Sequence, residues 1–203
     1  VNLMEKHYPE LFPLFSTCKS PQGMIGALVK SYFAQKIGRA PEDIIHVSIM
    51  PCVAKKDEAA RPQLTIDSNG KKVPETDYVL TTRELAHLIK NENIAFASLK
   101  ERDYDTLMGD STGAAALFGV TGGVMEAALR GAYEFYTKKE LKNVDFKMVR
   151  GLDGKNGGIR EAVVNVEGAN VKAAVAHGTK NIRQVVEDLK AGKKYKDFHL
   201  IEI

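Results

Sequence analysis

Stretches of two-residue apolar period alternate with stretches of helical period along this chain, and that alternation restricts the fold more than any other feature. Residues 2–8 carry a short helical pattern stopped by Pro9. Ser20-Pro21 is a helix start, with serine as the cap and proline at the first helical position. A stripe through Met24, Ile25, Ala27, Leu28, Ser31, Tyr32 and Ala34 carries that helix to about Lys36. Pro41-Glu42-Asp43 turns the chain into a β-rich run over 44–50, read as a buried strand, which stops at Pro51-Cys52. Residues 63–76 hold Asp-Ser-Asn-Gly and several lysines and read as an exposed loop. A short strand follows over 78–80, and Thr81 with Glu84 fits a capping box opening a helix over 84–90.

In the second half, Gly/Ser/Thr-rich stretches at 109–113 and 119–123 precede a long helix through Met125, Ala128, Leu129, Ala132 and Tyr136. Strands are expected at 144–149, 161–166 and 171–176, with turns over 151–158 and 167–170. An amphipathic helix over 181–189 leads to a final alternating run, 198–203. This order predicts an α/β fold with mixed, largely parallel sheets flanked by helices, its ligands gathering at the carboxyl ends of the strands. A chain of 203 residues suffices for one domain or for two small lobes sharing a core, and it shows no internal repeat.

Composition narrows the function classes. Apolar residues at 44% and charged residues at 27% are those of a soluble globular protein. No apolar run approaches the ~20 residues of a membrane span, and no basic-then-apolar leader is present. The net charge of +3 is well mixed, with no aromatic-and-basic stripe, so no nucleic-acid partner and no membrane insertion are expected. Cys18 and Cys52 are the only two cysteines and do not form a C-x-x-C pair, so a cytoplasmic setting without a disulfide between them is expected. The chain starts at Val1 without Met and stops within an alternating run, which reads as something removed at each end.

Three segments carry candidate chemistry. In Met50-Pro51-Cys52-Val53-Ala54-Lys55-Lys56-Asp57-Glu58, a cysteine held by proline stands just past a strand end, where α/β folds present functional groups. Lys55, three residues on, favours the thiolate, which is both nucleophile and metal ligand. The residue types alone leave open a nucleophile, a metal ligand or a buried cysteine beside a surface lysine. Phe118-Gly119-Val120-Thr121-Gly122-Gly123-Val124-Met125-Glu126 places glycines before a helix, which suits an anion or a dinucleotide; tight packing of loop on helix is the commoner cause of such a pattern. Ser16-Thr17-Cys18-Lys19-Ser20-Pro21-Gln22, taken alone, is a helix cap.

In this order, and with Leu80-Thr81-Thr82-Arg83-Glu84-Leu85-Ala86 and Ser111-Thr112-Gly113-Ala114-Ala115-Ala116-Leu117 between them, these segments resemble the H-cluster domain of [FeFe], or iron-only, hydrogenases. The resemblance runs from Val1 to Ile203 as a partial catalytic domain. It implies two α/β lobes holding a [4Fe-4S] cubane joined through a cysteine sulfur to a di-iron unit bearing CO and CN⁻. It also implies reversible conversion of protons and electrons to H₂. Cys52 matches a cubane-ligating cysteine, and thiolates are the ligands such clusters take. Lys55 matches the lysine that donates to a cyanide of the di-iron unit, a charge-assisted bond. Pro21, Gln22, Met50, Phe118 and Val124 match positions lining the di-iron pocket. Ser16 matches a serine of the proton relay, a role that a hydroxyl can serve as both donor and acceptor. Glu58 lies on the Met-Pro-Cys segment without an assigned role, and Cys18 is read as packing beside the pocket. The implied partners are ferredoxin or NAD(P)-linked electron-transfer domains or subunits.

The resemblance also implies what these residues lack. The family's Thr-Ser-Cys-Cys-Pro and Met-Ala-Cys-Pro-Gly-Gly-Cys segments, with the other three cubane ligands and the proton-delivering thiol, are not in the sequence. This chain is therefore expected to fold, and by itself to bind no H-cluster and make no H₂. A hydrogenase-like scaffold or assembly protein without a cluster is the alternative, and a nucleotide-binding glycine loop is a third reading.

Overall fold

The computed structural model describes residues 1–110, 112–139 and 158–203. The expected strand at 144–149 and nearly all of the turn at 151–158 lie outside the described residues. Two compact units emerge, Val1–Gly109 and Asp110–Ile203.

The first unit opens with helix α1 (Asn2–His7) and a 3₁₀ segment, Pro9–Leu14. Helix α2 (Pro21–Leu28) passes through a π-turn, Val29–Phe33, into a last short turn, α3 (Ala34–Lys36). Ser20 caps α2 by accepting from the Gly23 amide, and Pro21 fills the first helical position. Strand β1 (Val47–Met50), helix α4 (Ala54–Ala59), strands β2 (Thr65–Ser68), β3 (Lys71–Pro74) and β4 (Tyr78–Thr81), and helix α5 (Thr82–Asn91) complete the unit. Strands β1 and β4 pair in parallel, with Met50 opposite Thr81.

Two expectations are corrected here. The stretch 63–76 is not a loop: β2 and β3 form an antiparallel hairpin around Asn69-Gly70, both at positive φ (52° and 84°). A two-residue turn of that hand demands Asn-Gly, and the flanking lysines sit on an exposed hairpin. The strand expected over 44–50 is shorter and inverted. Its buried residue is Ser48, while Val47 and Ile49 are 45% and 48% exposed, because the two-residue alternation turns Ser48 inward toward Gln22.

The helix of the capping box is as expected. Thr81 accepts from the Glu84 amide at 3.1 Å, and the Glu84 carboxylate accepts from the Thr81 amide at 2.8 Å. Lys56 donates to the same carboxylate, and with the Thr81 amide it holds the Glu84 carboxyl down at about 2 from 4.5. A carboxyl lowered on folding stabilises the fold above its unfolded value and loses that contribution as pH falls from about 4.5 to about 2. Glu84→Gln is thus expected to flatten the acid limb of melting temperature against pH across that window. Thr81→Ala is expected to cost about 1 kcal/mol in urea denaturation.

The second unit contains helices α6 (Ala114–Leu117) and α7 (Gly123–Thr137), strands β5 (Ile159–Val166) and β6 (Ala169–Ala176), helix α8 (Thr179–Lys190) and strand β7 (Leu200–Glu202). The sheet order is β5-β6-β7, with β5–β6 an antiparallel hairpin and β6–β7 parallel across α8. The second half of β6, Ala173 to Ala176, is buried on both faces. Ala173 and Val175 pack with Ala162, Val164, Met125 and Leu129 toward α7. Ala174 and Ala176 pack with Ile159, Val185 and Tyr195 toward α8. Small residues on the middle strand let a helix lie close on either side. Among the described residues two pairings are parallel and two antiparallel, an α/β fold with helices and mixed sheets.

Candidate functional site

Strand β1 ends at Met50, and Pro51-Cys52 leads directly into α4. The first turn of that entry is closed by the Lys55 amide, which donates to the Cys52 carbonyl at 3.2 Å. Cys52 and Lys55 therefore share one turn, with the thiol free and exposed. The Lys55 ammonium pairs with Glu58 Oε2 at 2.7 Å, one helical turn along. The Ser20 hydroxyl donates to the other oxygen, Glu58 Oε1.

Gln22 ties this turn to the rest of the unit. It is 2% exposed; its Nε2 donates to the Lys55 carbonyl at 3.2 Å and its Oε1 accepts from Ser48 Oγ at 2.9 Å. One buried amide thus links β1, α2 and α4, with both its polar ends satisfied. Gln22, which the resemblance leads one to expect at the pocket, also braces the loop from within the unit through its amide. Met50 is half-buried and Pro21 exposed. Ser16 is exposed, and its Oγ accepts from the Cys18 amide at 3.1 Å. Cys18 is free and exposed.

Phe118 and Val124 belong to the second unit, at the end of α6 and in the first turn of α7, and are 41% and 42% exposed. Gly122 takes a left-handed φ of 78°, and a Cβ on Gly123 would lie 1.6 Å from the Leu117 carbonyl oxygen. Packing of one helix end on the next therefore accounts for this glycine pair. The helix start already has an anion of its own: the Glu202 carboxylate, from β7, accepts from the Gly122 amide at 3.2 Å and the Met125 amide at 2.7 Å. A phosphate would compete with that carboxylate, which weakens the nucleotide reading. Sequence reasoning missed Glu202; its signal was a lone acid within an apolar alternating run at 198–203.

The donor set decides what metal chemistry these residues can support. A cubane takes four thiolates, and this chain has two cysteines. Among the described residues no group of three or more His, Cys, Asp or Glu side chains is arranged to hold a metal ion. The residues present offer one thiolate beside one ammonium and do not complete a cluster site by themselves. No helix among the described residues is long and apolar enough to cross a membrane.

Comparison with known proteins places these observations. The model of the "Iron only hydrogenase large subunit, C-terminal domain" matches residues 1–203. The chain is 56% identical over 198 residues to the periplasmic [Fe] hydrogenase large subunit of Nitratidesulfovibrio vulgaris, covering 98% of this chain and 45% of that protein. It is 47% identical to the NADP-reducing hydrogenase subunit HndD of Solidesulfovibrio fructosivorans, covering 100% of this chain and 33% of the relative. A cytosolic Fe-S cluster assembly factor of Danio rerio is 32% identical, covering 98% of this chain and 47% of that protein. The apo [FeFe]-hydrogenase HydA1 of Chlamydomonas reinhardtii, in a C377H variant by that protein's own numbering, superposes with a TM-score of 0.76 at 37% identity, covering 99% of this chain and 55% of that one. The chain spans about half or less of the length of the relatives it matches.

Proposed function

This chain belongs to the family formed by the C-terminal domain of iron-only hydrogenase large subunits, and on that footing we propose that it supplies part of the H-cluster site of a longer [FeFe] hydrogenase. The parent reversibly reduces protons to H₂ with electrons from ferredoxin or an NAD(P)-linked domain or subunit; the NADP-reducing relative supports the latter. The single observation that carries this reading is the Cys52–Lys55 turn, a free thiol and a fixed ammonium at a strand end.

When bound, the cluster supplies the redox chemistry. Of the rest this chain's residues would supply a part: Cys52 one thiolate ligand, Lys55 a cationic donor to an anionic ligand, and Ser16 a hydroxyl able to accept and donate a proton. In the longer protein Pro21, Gln22, Met50, Phe118 and Val124 would line the di-iron unit, and Gln22 also braces the Cys52–Lys55 turn. The whole of 1–203 acts as a partial catalytic domain of two lobes, inactive alone. The cytoplasmic setting read from the sequence stands beside a 56%-identical relative that is named as periplasmic. Cell fractionation decides between the two.

The test is an H₂-evolution assay with a reduced carrier, run on the longer protein and on these 203 residues. The reading expects turnover from the former and none from the latter. The 32% identity to an Fe-S cluster assembly factor favours a second reading, a hydrogenase-like assembly protein. That reading expects no H₂ from either.

A further inference from the structure

Lys55 is pinned at both ends. Its amide donates to the Cys52 carbonyl at 3.2 Å and its carbonyl accepts from Gln22 Nε2 at 3.2 Å, which fixes the backbone. Its ammonium, at the end of a long flexible stem, meets Glu58 Oε2 at 2.7 Å. Glu58 is itself held, because the Ser20 hydroxyl occupies its other oxygen. Ser20 has two duties at once, since the same oxygen accepts from the Gly23 amide at 3.3 Å and caps α2. The carboxylate therefore stands between two elements and cannot follow the lysine freely.

Exposure separates this pair from an ordinary surface bridge. The Lys55 and Glu58 side chains are 24% and 20% exposed, whereas neighbouring Lys56 and its partner Glu84 are 42% and 46% exposed. At the same 2.7 Å separation, the inner pair is the less screened by water and salt of the two. An ammonium has three donors, and Glu58 Oε2 takes one, leaving others for an incoming acceptor.

We infer that Glu58 is a positioning residue: anchored by Ser20, its carboxylate presets the Lys55 ammonium before any anionic ligand arrives. The inference rests on the role proposed above for Lys55 and concerns what orients that group. Preset donors avoid the entropy of ordering a lysine at the moment of binding.

The test is NMR of the lysine ammonium groups in this chain, with the Lys55 signal assigned by its loss in Lys55→Arg. Ammonium hydrogen exchange at Lys55 is expected to be about tenfold slower than at Lys56, as suits a shielded charge-assisted bond. Glu58→Gln is expected to bring the two to parity while the backbone amide spectrum stays native. Glu58→Asp, which keeps the charge on a shorter stem, restores part of the difference, and Ser20→Ala loses part of it. If Glu58→Gln does not fold, the Glu58→Asp and Ser20→Ala spectra carry the test. Unchanged Lys55 exchange in the folded variants overturns the positioning role and leaves the Cys52 assignment untouched. A failed hydrogenase reading shows up elsewhere, as iron binding in the longer protein that ignores Cys52→Ser, so the two failures are told apart.

Discussion

Gly123→Ala is expected to cost the second unit about 3 kcal/mol or more, because overpacking against backbone has no rotamer to relieve it. The new Cβ would lie 1.6 Å from the Leu117 oxygen and 2.6 Å from its carbonyl carbon. Relief requires prising the end of α6 from the start of α7, whose Gly122 and Met125 amides are held in place by Glu202. Phe118 and Val124 flank this corner, so their placement fails with it. The control lies in the same helix: a Cβ on Gly131 meets nothing within 4 Å. Gly131→Ala is therefore expected to stabilise by about 0.5–1 kcal/mol, the ordinary gain of alanine over glycine in a helix. Urea denaturation of both variants, followed by circular dichroism, checks the opposed signs.

Lys30→Ala is expected to cost the first unit about 3–5 kcal/mol, the penalty for breaking a buried pair from one side. Lys30 is 1% exposed. Its ammonium pairs with Asp77 Oδ2 at 2.7 Å and donates to the carbonyls of Ile44 and, at 3.3 Å, Pro41. Asp77 also accepts from the His46 amide at 2.7 Å, so one ion pair sets the approaches to both β1 and β4. Losing the lysine strands a carboxylate and two carbonyls with little water to replace it. Because Asp77 is 20% exposed, a Lys30→Met and Asp77→Asn double mutant should lose less than the sum of its singles, with a coupling of about 1–3 kcal/mol. Additive losses would mean that the pair is not coupled.

Neither of those residues stood out in the sequence as a functional group, and the reason is physical. Lys30 lies beside the apolar stripe that predicted the helix, and a lysine there reads as solvated until tertiary structure supplies its acceptors. Local chemistry was legible: the Ser20-Pro21 start and the Thr81–Glu84 box are set by neighbours a few residues apart, and both are present. Strands β5 and β6 and helix α8 announced themselves by period and length. The β2–β3 hairpin was hidden by its lysines, although Asn69-Gly70 carried its turn signal. Strand β1 misled because Ile, Val and Met imply burial, while its inward residue is Ser48.

The candidate site divides along the same line. The Met-Pro-Cys segment, its lysine and the Ser20 cap could be read from sequence, because their spacing is local. The bonds of Gln22 to Lys55 and Ser48, of Ser20 to Glu58, and of Glu202 to the α7 amides join residues 26 to 80 positions apart. No local pattern encodes such distances, so the bracing of the site emerged only with the fold.

The central claim is that Cys52 is a cluster-ligating thiolate in the longer protein while Cys18 is not. Measuring iron, acid-labile sulfide and the reduced-state electron paramagnetic resonance signal of that protein as wild type, Cys52→Ser and Cys18→Ser tests it directly. Loss of a cubane in Cys52→Ser, with wild-type content in Cys18→Ser, is the predicted result. A full cubane in Cys52→Ser, in a protein whose fold is intact, would contradict it.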